Sequence, residues 1–285
     1  MGRYRKILVA VDGSPSGFHA LRESFKLASD EKSWITVIAV TPSVEGDLEL
    51  VGVRDIKAAM KHPYEKALEV AREIANTERA LIKTVMEEGE PYERIVDLAD
   101  AENCDLIIMG RKGTRHLDRT LMGSVTARVI GHSRRDVLVV PDGCEIGWKK
   151  ILMATDGSRY SKRAAERAID FARSYGGELR IVSVVDVPSE FYAEAPNAVD
   201  DMVAKAKEHV KDVRTDAESS GVKAEGFVGE GEAYQIITDL AGKEDVNVIT
   251  MSSHGRTGLK RLLMGSVAEK VIGHSPCPVL VVRSP

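Results

Sequence analysis

The stretch "RKILVAVDGS", residues Arg5–Ser14, returns in the second half of the chain as "KKILMATDGS", residues Lys149–Ser158. In each copy a short apolar run ends in Asp-Gly-Ser, which are residues that favour turns. Such a run predicts a strand that is buried on both faces, as in a parallel sheet covered by helices. This stretch therefore predicts both the kind of sheet and a duplicated unit.

The duplication extends along the rest of the chain. "IIMGRKGTRHLDRTLMGSVTARVIGHS" (107–133) is matched by "VITMSSHGRTGLKRLLMGSVAEKVIGHS" (248–275), and "VLVV" follows both copies. Because each copy has the length of a typical domain, we expect one domain at residues 1–143 and a second at residues 148–285. The segment "DGCEIGWK" (142–149), which contains two glycines, is the expected linker.

Strand-like and helix-like segments alternate within each unit. In the first unit "KILVAVD", "WITVIAV", "DLIIMG" and "VLVV" are typical of strands, and helical stretches lie between them, one of them at residues 56–76. This alternation predicts an α/β fold with two tandem doubly wound (Rossmann-like) domains, each a five-stranded parallel sheet flanked by helices. The acidic, unlike segments 42–60 and 187–202 are expected to be mobile loops near the ligand edge.

Composition excludes several classes of protein. The net charge is −4 and the pI is about 6.0, so a nucleic-acid partner, which requires a basic face, is not expected. The apolar runs fall short of the ~18 residues of a membrane span, and the N-terminal run stops at Asp12, too early for a signal peptide. We therefore expect a cytoplasmic protein without a membrane partner. Cys104, Cys144 and Cys277 have neither zinc spacing nor a disulfide pattern.

Glycines and positive charges follow the fourth predicted strand of the first unit. Gly110 and Gly113 let the backbone approach a ligand, and a helix that starts at Gly123-Ser124 presents unpaired N–H groups to an anion. Arg111, Lys112, Arg115 and Arg119 add positive charge. The spacing is neither that of a Walker loop nor that of a dinucleotide fingerprint. The loop is therefore either an anion-binding loop or a turn that the fold itself requires.

Individual residues of this region have two interpretations each. Ser124 either contacts a phosphate or caps its own helix. Asp12 either faces ligand hydroxyls or a Mg²⁺ ion, or it caps the helix that begins near Pro15. His132 and His274 recur in both units, but each follows a glycine at a helix end, where histidine suits the exposed carbonyl groups. We expect a structural role for both histidines and no catalytic triad.

The combination of Gly110, Gly113 and Gly123-Ser124 with "KILVAVDGS" and "GEPYERIVDLA" resembles the nucleotide-binding pattern of the universal stress protein family. The resemblance covers the whole chain, twice. It implies a five-stranded α/β domain that binds ATP, or AMP and ADP, with Mg²⁺ beside the phosphates. In the first unit it implies adenine, ribose and phosphate contacts from Ala10, Val11, Asp12, Val40, Met109, Gly110, Lys112, Gly113, Gly123, Ser124, Val125 and Thr126.

The resemblance implies a corresponding set in the second unit, formed by Ala154, Thr155, Asp156, Val184, Met251, Ser252, Gly255, Gly265, Ser266 and Val267. Ser252 departs from the pattern, because Gly110 stands at this position in the first unit. Its side chain either crowds the sugar, forces another backbone angle if the position needs positive φ, or adds a hydrogen bond. The second site is then expected to favour a smaller nucleotide, to bind weakly or to stay empty.

The leading hypothesis is a stress-response or regulatory protein that acts through nucleotide occupancy and is not an enzyme. The alternatives are a slow ATPase and an interaction module that binds no nucleotide. Family members pair through their last strand, which implies pairing of "VLVVP" and "VLVVR" between the two units as a pseudo-dimer, or between two chains as a homodimer.

Overall fold

The computed structural model describes residues 4–43, 56–113, 122–255 and 264–283. The chain divides into two compact units, Met1–Gly143 and Cys144–Pro285, called here the first and the second unit. Arg115 and Arg119, together with residues 44–55 of the first expected loop, lie outside the described residues.

The first unit alternates strands and helices as the sequence predicts. Its elements are β1 (Lys6–Ala10), α1 (Pro15–Glu31), β2 (Trp34–Thr41), α2 (Ile56–Thr77), β3 (Ile82–Glu88), α3 (Pro91–Ala101), β4 (Leu106–Gly110), α4 (Ser124–His132) and β5 (Asp136–Val140). The strand order is β3-β2-β1-β4-β5, and the neighbouring strands are parallel. The order reverses direction between β1 and β4, which is where ligands bind in open α/β sheets.

The second unit repeats this architecture with one addition. Its elements are β6 (Lys150–Ala154), α5 (Arg159–Tyr175), β7 (Glu178–Val185), α6 (Ser189–Glu194), α7 (Pro196–Ser219), β8 (Ala224–Glu230), α8 (Ala233–Lys243), β9 (Val248–Ser252), α9 (Ser266–His274) and β10 (Val279–Val282). The strand order is β8-β7-β6-β9-β10. The fold class predicted from the sequence is therefore confirmed.

The expectation of a mobile loop at residues 187–202 is wrong. This segment forms α6 and the first turns of α7, with Pro196 at the first-turn position that proline tolerates. Val199 of α7 is buried, so the helix already packs on its unit here. The acidic composition reflects the solvent-facing side of these helices, because most of the other residues of the segment are exposed.

The core of each unit lies on both faces of its central strands. Ile7, Leu8 and Val9 of β1 are fully buried, and so are Ile151, Leu152 and Met153 of β6. This burial is the reason that the strands appear in the sequence as continuous apolar runs. Among the described residues, no helix is both long and apolar enough to cross a membrane.

Candidate functional site

A cavity of about 290 Å³ opens at the carboxyl edge of the first unit. It lies where β1, β2 and β4 end, and its size is close to the lower limit for small-molecule sites, roughly 300 Å³. Every ligand contact that the family resemblance implies in this unit lies at the wall of this one cavity: Ala10, Val11, Asp12, Val40, Met109, Gly110, Lys112, Gly113, Gly123, Ser124, Val125 and Thr126. Arg111, which the sequence analysis also named, is not among the lining residues.

The cavity also has walls that the sequence analysis missed, formed by Ser14, Gly17, Ile38, Pro42, Tyr64, Glu90, Pro91 and Ile95. Tyr64 comes from α2, whereas Glu90 and Pro91 stand where β3 gives way to α3. The "GEP" turn follows a strand just as the Asp-Gly-Ser turn does, and this signal could have placed Glu90 at the same sheet edge. Nothing comparable in the sequence points to Tyr64, which lies in the middle of a helix.

The turn after β1 directs the carboxylate of Asp12 toward the glycine loop. Gly13 has a φ of +87°, which reverses the chain, and the N–H of Ser14 donates to Oδ1 of Asp12 at 3.0 Å. The hydroxyl oxygen of Ser14 accepts the N–H of Gly17 at 3.1 Å and thereby caps α1. The interpretation of Asp12 as the helix cap is therefore wrong, because Ser14 has that role.

The glycine loop is fitted closely around its neighbours. A Cβ on Gly113 would stand 2.5 Å from Oδ2 of Asp12, so only glycine leaves room for this carboxylate. The hydroxyl of Thr126 donates to the carbonyl of Gly110 at 3.2 Å, and the N–H of Gly123 donates to the carbonyl of Arg111 at 2.9 Å. Both bonds hold the loop against the start of α4.

The N-terminus of α4 faces the cavity without a side-chain cap. Gly123 is the N-cap residue, and in the part of the chain that the structure describes no side chain accepts a cap hydrogen bond there. Ser124 is the first helical residue, so the alternative in which Ser124 caps its own helix is wrong. The backbone N–H groups of the first turn and the positive end of the helix dipole together form an anion-binding surface. Lys112 adds an ammonium group to the same cavity.

The backbone of Val40 directs its N–H and C=O groups toward the cavity. The N–H of Val11 donates to the carbonyl of Ile38 at 2.9 Å, so Ile38 bonds toward β1. Strand residues alternate between their two neighbours, and Val40 therefore also points its N–H and C=O toward β1. Because β1 ends at Ala10, these two groups meet the cavity rather than another strand.

The second unit contains the same turn with small differences. The N–H of Ser158 donates to Oδ1 of Asp156 at 3.0 Å, and a Cβ on Gly255 would stand 2.9 Å from Oδ2 of Asp156. Thr155 is buried, and its hydroxyl bonds to Ser161 at 3.1 Å. The other predicted residues occupy places equivalent to those in the first unit. Four of them lie at or near the ends of β6, β7 and β9, namely Ala154, Val184, Met251 and Ser252. Gly265 is the N-cap of α9, and Ser266 and Val267 begin that helix.

The difference between Gly110 and Ser252 depends on the neighbours of each residue and not on its backbone angle. Gly110 is not among the described glycines with positive φ, so its position does not require the left-handed backbone conformation. Gly110 is instead fixed by α1, because a Cβ there would stand 2.8 Å or less from the backbone carbonyl atoms and the hydroxyl of Ser16. In the second unit the hydroxyl of Ser252 donates to the carbonyl of His254 at 2.7 Å. Of the three interpretations, the added hydrogen bond is the one that the structure shows.

The recurring histidines and the cysteines lie outside the cavity wall. Nδ1 of His132 bonds to the carbonyl of Arg128 at 2.8 Å, within its own helix, and His274 does the same with Lys270. Burial raises the pKa of the Cys104 thiol to about 11 and that of Cys277 to about 12. Within the described ranges, no group of three or more His, Cys, Asp or Glu residues is arranged to hold a metal ion.

Known proteins resemble about half of the chain or, in fold, nearly the whole of it. Universal stress protein MJ0531 of Methanocaldococcus jannaschii is 39% identical over 144 residues, which cover 48% of this chain and 84% of the relative. Universal stress protein YxiE of Bacillus subtilis is 35% identical over 150 residues, which cover 48% of this chain and 99% of the relative. The crystal structure of a universal stress protein from Archaeoglobus fulgidus DSM 4304 shares the fold, with a TM-score of 0.74 and 20% identity over 99% of this chain and 97% of that chain.

The model of the universal stress protein family matches residues 3–141 and, separately, residues 147–283. The two matches fall on the two units and together cover nearly all of the chain. The chain therefore belongs to the universal stress protein family and carries two copies of its domain.

Proposed function

We propose that the first unit binds an adenine nucleotide, and that the protein responds to occupancy of this cavity rather than catalysing a reaction. The observation that carries the proposal is a single cavity that is lined both by the uncapped N-terminus of α4 and by Val40. We place the phosphates at the helix end and the base at the Val40 end. Asp12 lies between these ends, next to Gly113. A nucleotide has its phosphates, ribose hydroxyls and base in this same order.

The chemistry of each end supports a particular part of the ligand. Phosphate oxygens accept hydrogen bonds from the first turn of α4 and are attracted by Lys112. The carboxylate of Asp12 accepts hydrogen bonds from ribose hydroxyls. The flat base fits between apolar walls that include Ile38, Pro91 and Ile95, while its edge bonds to the backbone of Val40.

Mg²⁺ fits this site as a companion of the phosphates. Mg²⁺ is commonly held by one or two carboxylates and by the phosphates of its nucleotide. In the alternative in which Asp12 faces the ion and not the ribose hydroxyls, it would supply the protein ligand, and the ion would neutralise part of the triphosphate charge. This role is compatible with the absence of a larger cluster of metal ligands among the described residues.

Calorimetric titration of the purified 285-residue chain with ATP, ADP and AMP tests the proposal. A nucleotide that binds only the native state stabilises it by about 2.7 kcal/mol at ~100 times its Kd. We expect such a shift in thermal unfolding, together with nucleotide detected by mass spectrometry after denaturation of the purified protein. The absence of binding by all three nucleotides would leave the interaction-module alternative.

Occupancy and catalysis are separated by a second measurement. Steady release of phosphate from ATP, abolished by a substitution in the first cavity, would favour the slow-ATPase alternative over the proposal.

The second unit is proposed to bind a nucleotide less well, because its cradle differs at Ser252 and His254. Pairing through the last strands, between the two units or between two chains, stays a prediction. The molecular mass in solution tests the pairing between two chains.

A further inference from the structure

Glu90 is the one acidic side chain at the base end of the cavity among the described lining residues. The N–H of Gly89 donates to the carbonyl of Thr41 at 3.0 Å, which places the start of α3 beside the end of β2 and therefore beside Val40. Asp12, the other carboxylate of the wall, lies near the glycine loop instead. The two ends of the cavity thus differ in which polar groups they offer.

Helix capping does not explain the presence of a glutamate at this position. Glu90 is the N-cap residue of α3, but its side chain makes no cap hydrogen bond among the described residues, and glutamate is not a favoured N-cap. Its carboxylate is held by Nη1 of Arg128 at 2.7 Å. Both side chains of this pair are nearly half exposed, and exposed pairs contribute little to stability. Arg128 therefore fixes the position of a carboxylate whose residue, Glu90, lines the cavity.

We propose that Glu90 selects bases that carry an exocyclic amino group at the position facing Val40. This inference rests on the proposed function. The 6-amino group of adenine has two hydrogens, of which the C=O of Val40 accepts one and the carboxylate of Glu90 accepts the other, while the N–H of Val40 donates to N1. A 6-oxo purine presents an oxygen to these two acceptors, and neither can donate to it.

The experiment compares ATP with inosine triphosphate, whose base has a 6-oxo group in place of the amino group. Titrations are made in a Gly265→Asp background, which places a carboxylate in the cradle of the second unit so that only the first cavity is measured. We expect the starting protein to prefer ATP. Glu90→Gln introduces an amide that can donate to the 6-oxo group, and we expect the ratio of the two Kd values to fall at least tenfold.

Glu232→Gln is the matched control. Glu232 stands at the corresponding position of the second unit and pairs with Lys270 at 2.8 Å, so its loss removes an equivalent ion pair away from the first cavity. We expect this variant to leave the ratio unchanged.

The outcomes separate this inference from the proposed function. If the unaltered protein bound ATP, but Glu90→Gln weakened ATP and inosine triphosphate equally, the ratio of the two Kd values would not change. This result would overturn the role of Glu90 and leave the proposed function standing. A failure of the unaltered protein to bind either nucleotide would overturn the proposed function and this inference together.

Discussion

The carboxylate of Asp12 occupies the space in which a side chain at position 113 would have to stand. An ideal Cβ on Gly113 would lie 2.5 Å from Oδ2 of Asp12, and the corresponding distance between Gly255 and Asp156 in the second unit is 2.9 Å. Two residues a hundred positions apart are thus tied by contact in both units. The second glycine of the loop pattern is required by the aspartate at the end of the first strand.

Gly113→Ala is expected to weaken nucleotide binding by at least tenfold, because the added methyl group displaces the carboxylate that faces the ribose. Position 113 does not have positive φ, so alanine brings no backbone strain of its own. Calorimetric titration with ATP measures the effect. Gly242→Ala in α8 serves as a control, since nothing lies within 4 Å of its Cβ and binding should be unaffected. Equal affinities for Gly113→Ala and the unaltered chain would contradict this role of Asp12.

Gly110→Ser introduces the residue of the second unit into the first, and we expect it to destabilise the protein by about 1–3 kcal/mol through overpacking. The new Cβ would stand 2.6 Å from the hydroxyl of Ser16 and 2.7 Å from its carbonyl carbon, and this backbone cannot move without moving α1. Urea unfolding monitored by circular dichroism measures the change.

Gly123→Ser is the matched control for that substitution, since it makes the same chemical change in the same loop. The nearest heavy atom to a Cβ on Gly123 is the carbonyl oxygen of Arg111, at 3.6 Å, and serine is a favoured N-cap. We expect no loss of stability. If both variants unfolded at the same urea concentration, packing against α1 would not be the reason for Gly110.

Gly123→Asp separates stability from binding at the start of α4. Aspartate is a favoured N-cap and suits the positive end of the helix dipole, so we expect a free energy of unfolding equal to or a few tenths of a kcal/mol above that of the unaltered chain. The same carboxylate accepts the N–H groups that a phosphate would use and repels its charge. Binding of ATP at the first cavity should therefore be lost while stability is kept.

Gly123→Asn gives the neutral counterpart of this variant. Asparagine caps the helix without charge, so we expect it to bind ATP more weakly than the unaltered chain and more tightly than Gly123→Asp. If the aspartate variant retained full affinity, α4 would not be the phosphate end of the site.

The three thiols are expected to differ in reactivity. Burial raises the pKa of Cys104 to about 11 and that of Cys277 to about 12, so neither forms much thiolate at pH 8. Cys144 is half buried. We expect a chromogenic disulfide reagent to label Cys144 of the folded protein rapidly, and to label Cys104 and Cys277 only after denaturation. Rapid labelling of all three without denaturant would show that the burial of Cys104 and Cys277 is not maintained in solution.

Much of the fold and part of the site follow from local patterns in the sequence. The buried strands are continuous apolar runs, and the turn residues that follow β1 mark the edge at which ligands bind. Gly113 and Gly123 stand out because they recur in the second unit as Gly255 and Gly265. The sequence did not predict α6 or the start of α7, because an acidic segment with prolines is typical of a loop. The burial of Val199 shows that this segment packs on its unit.

The resemblance to a known family implied many, but not all, of the residues at the carboxyl edge of β1, β2 and β4, whereas the sequence by itself determined the duplication and the α/β fold. These features depend on short-range periodicity and on repeated spacing, which are visible in the chain. Only the tertiary structure decided which neighbour each glycine accommodates, that Ser14 and not Asp12 caps α1, and that Tyr64 and Glu90 join the same cavity. These contacts depend on how closely helices pack against the sheet, and packing distance leaves no periodic trace in the sequence.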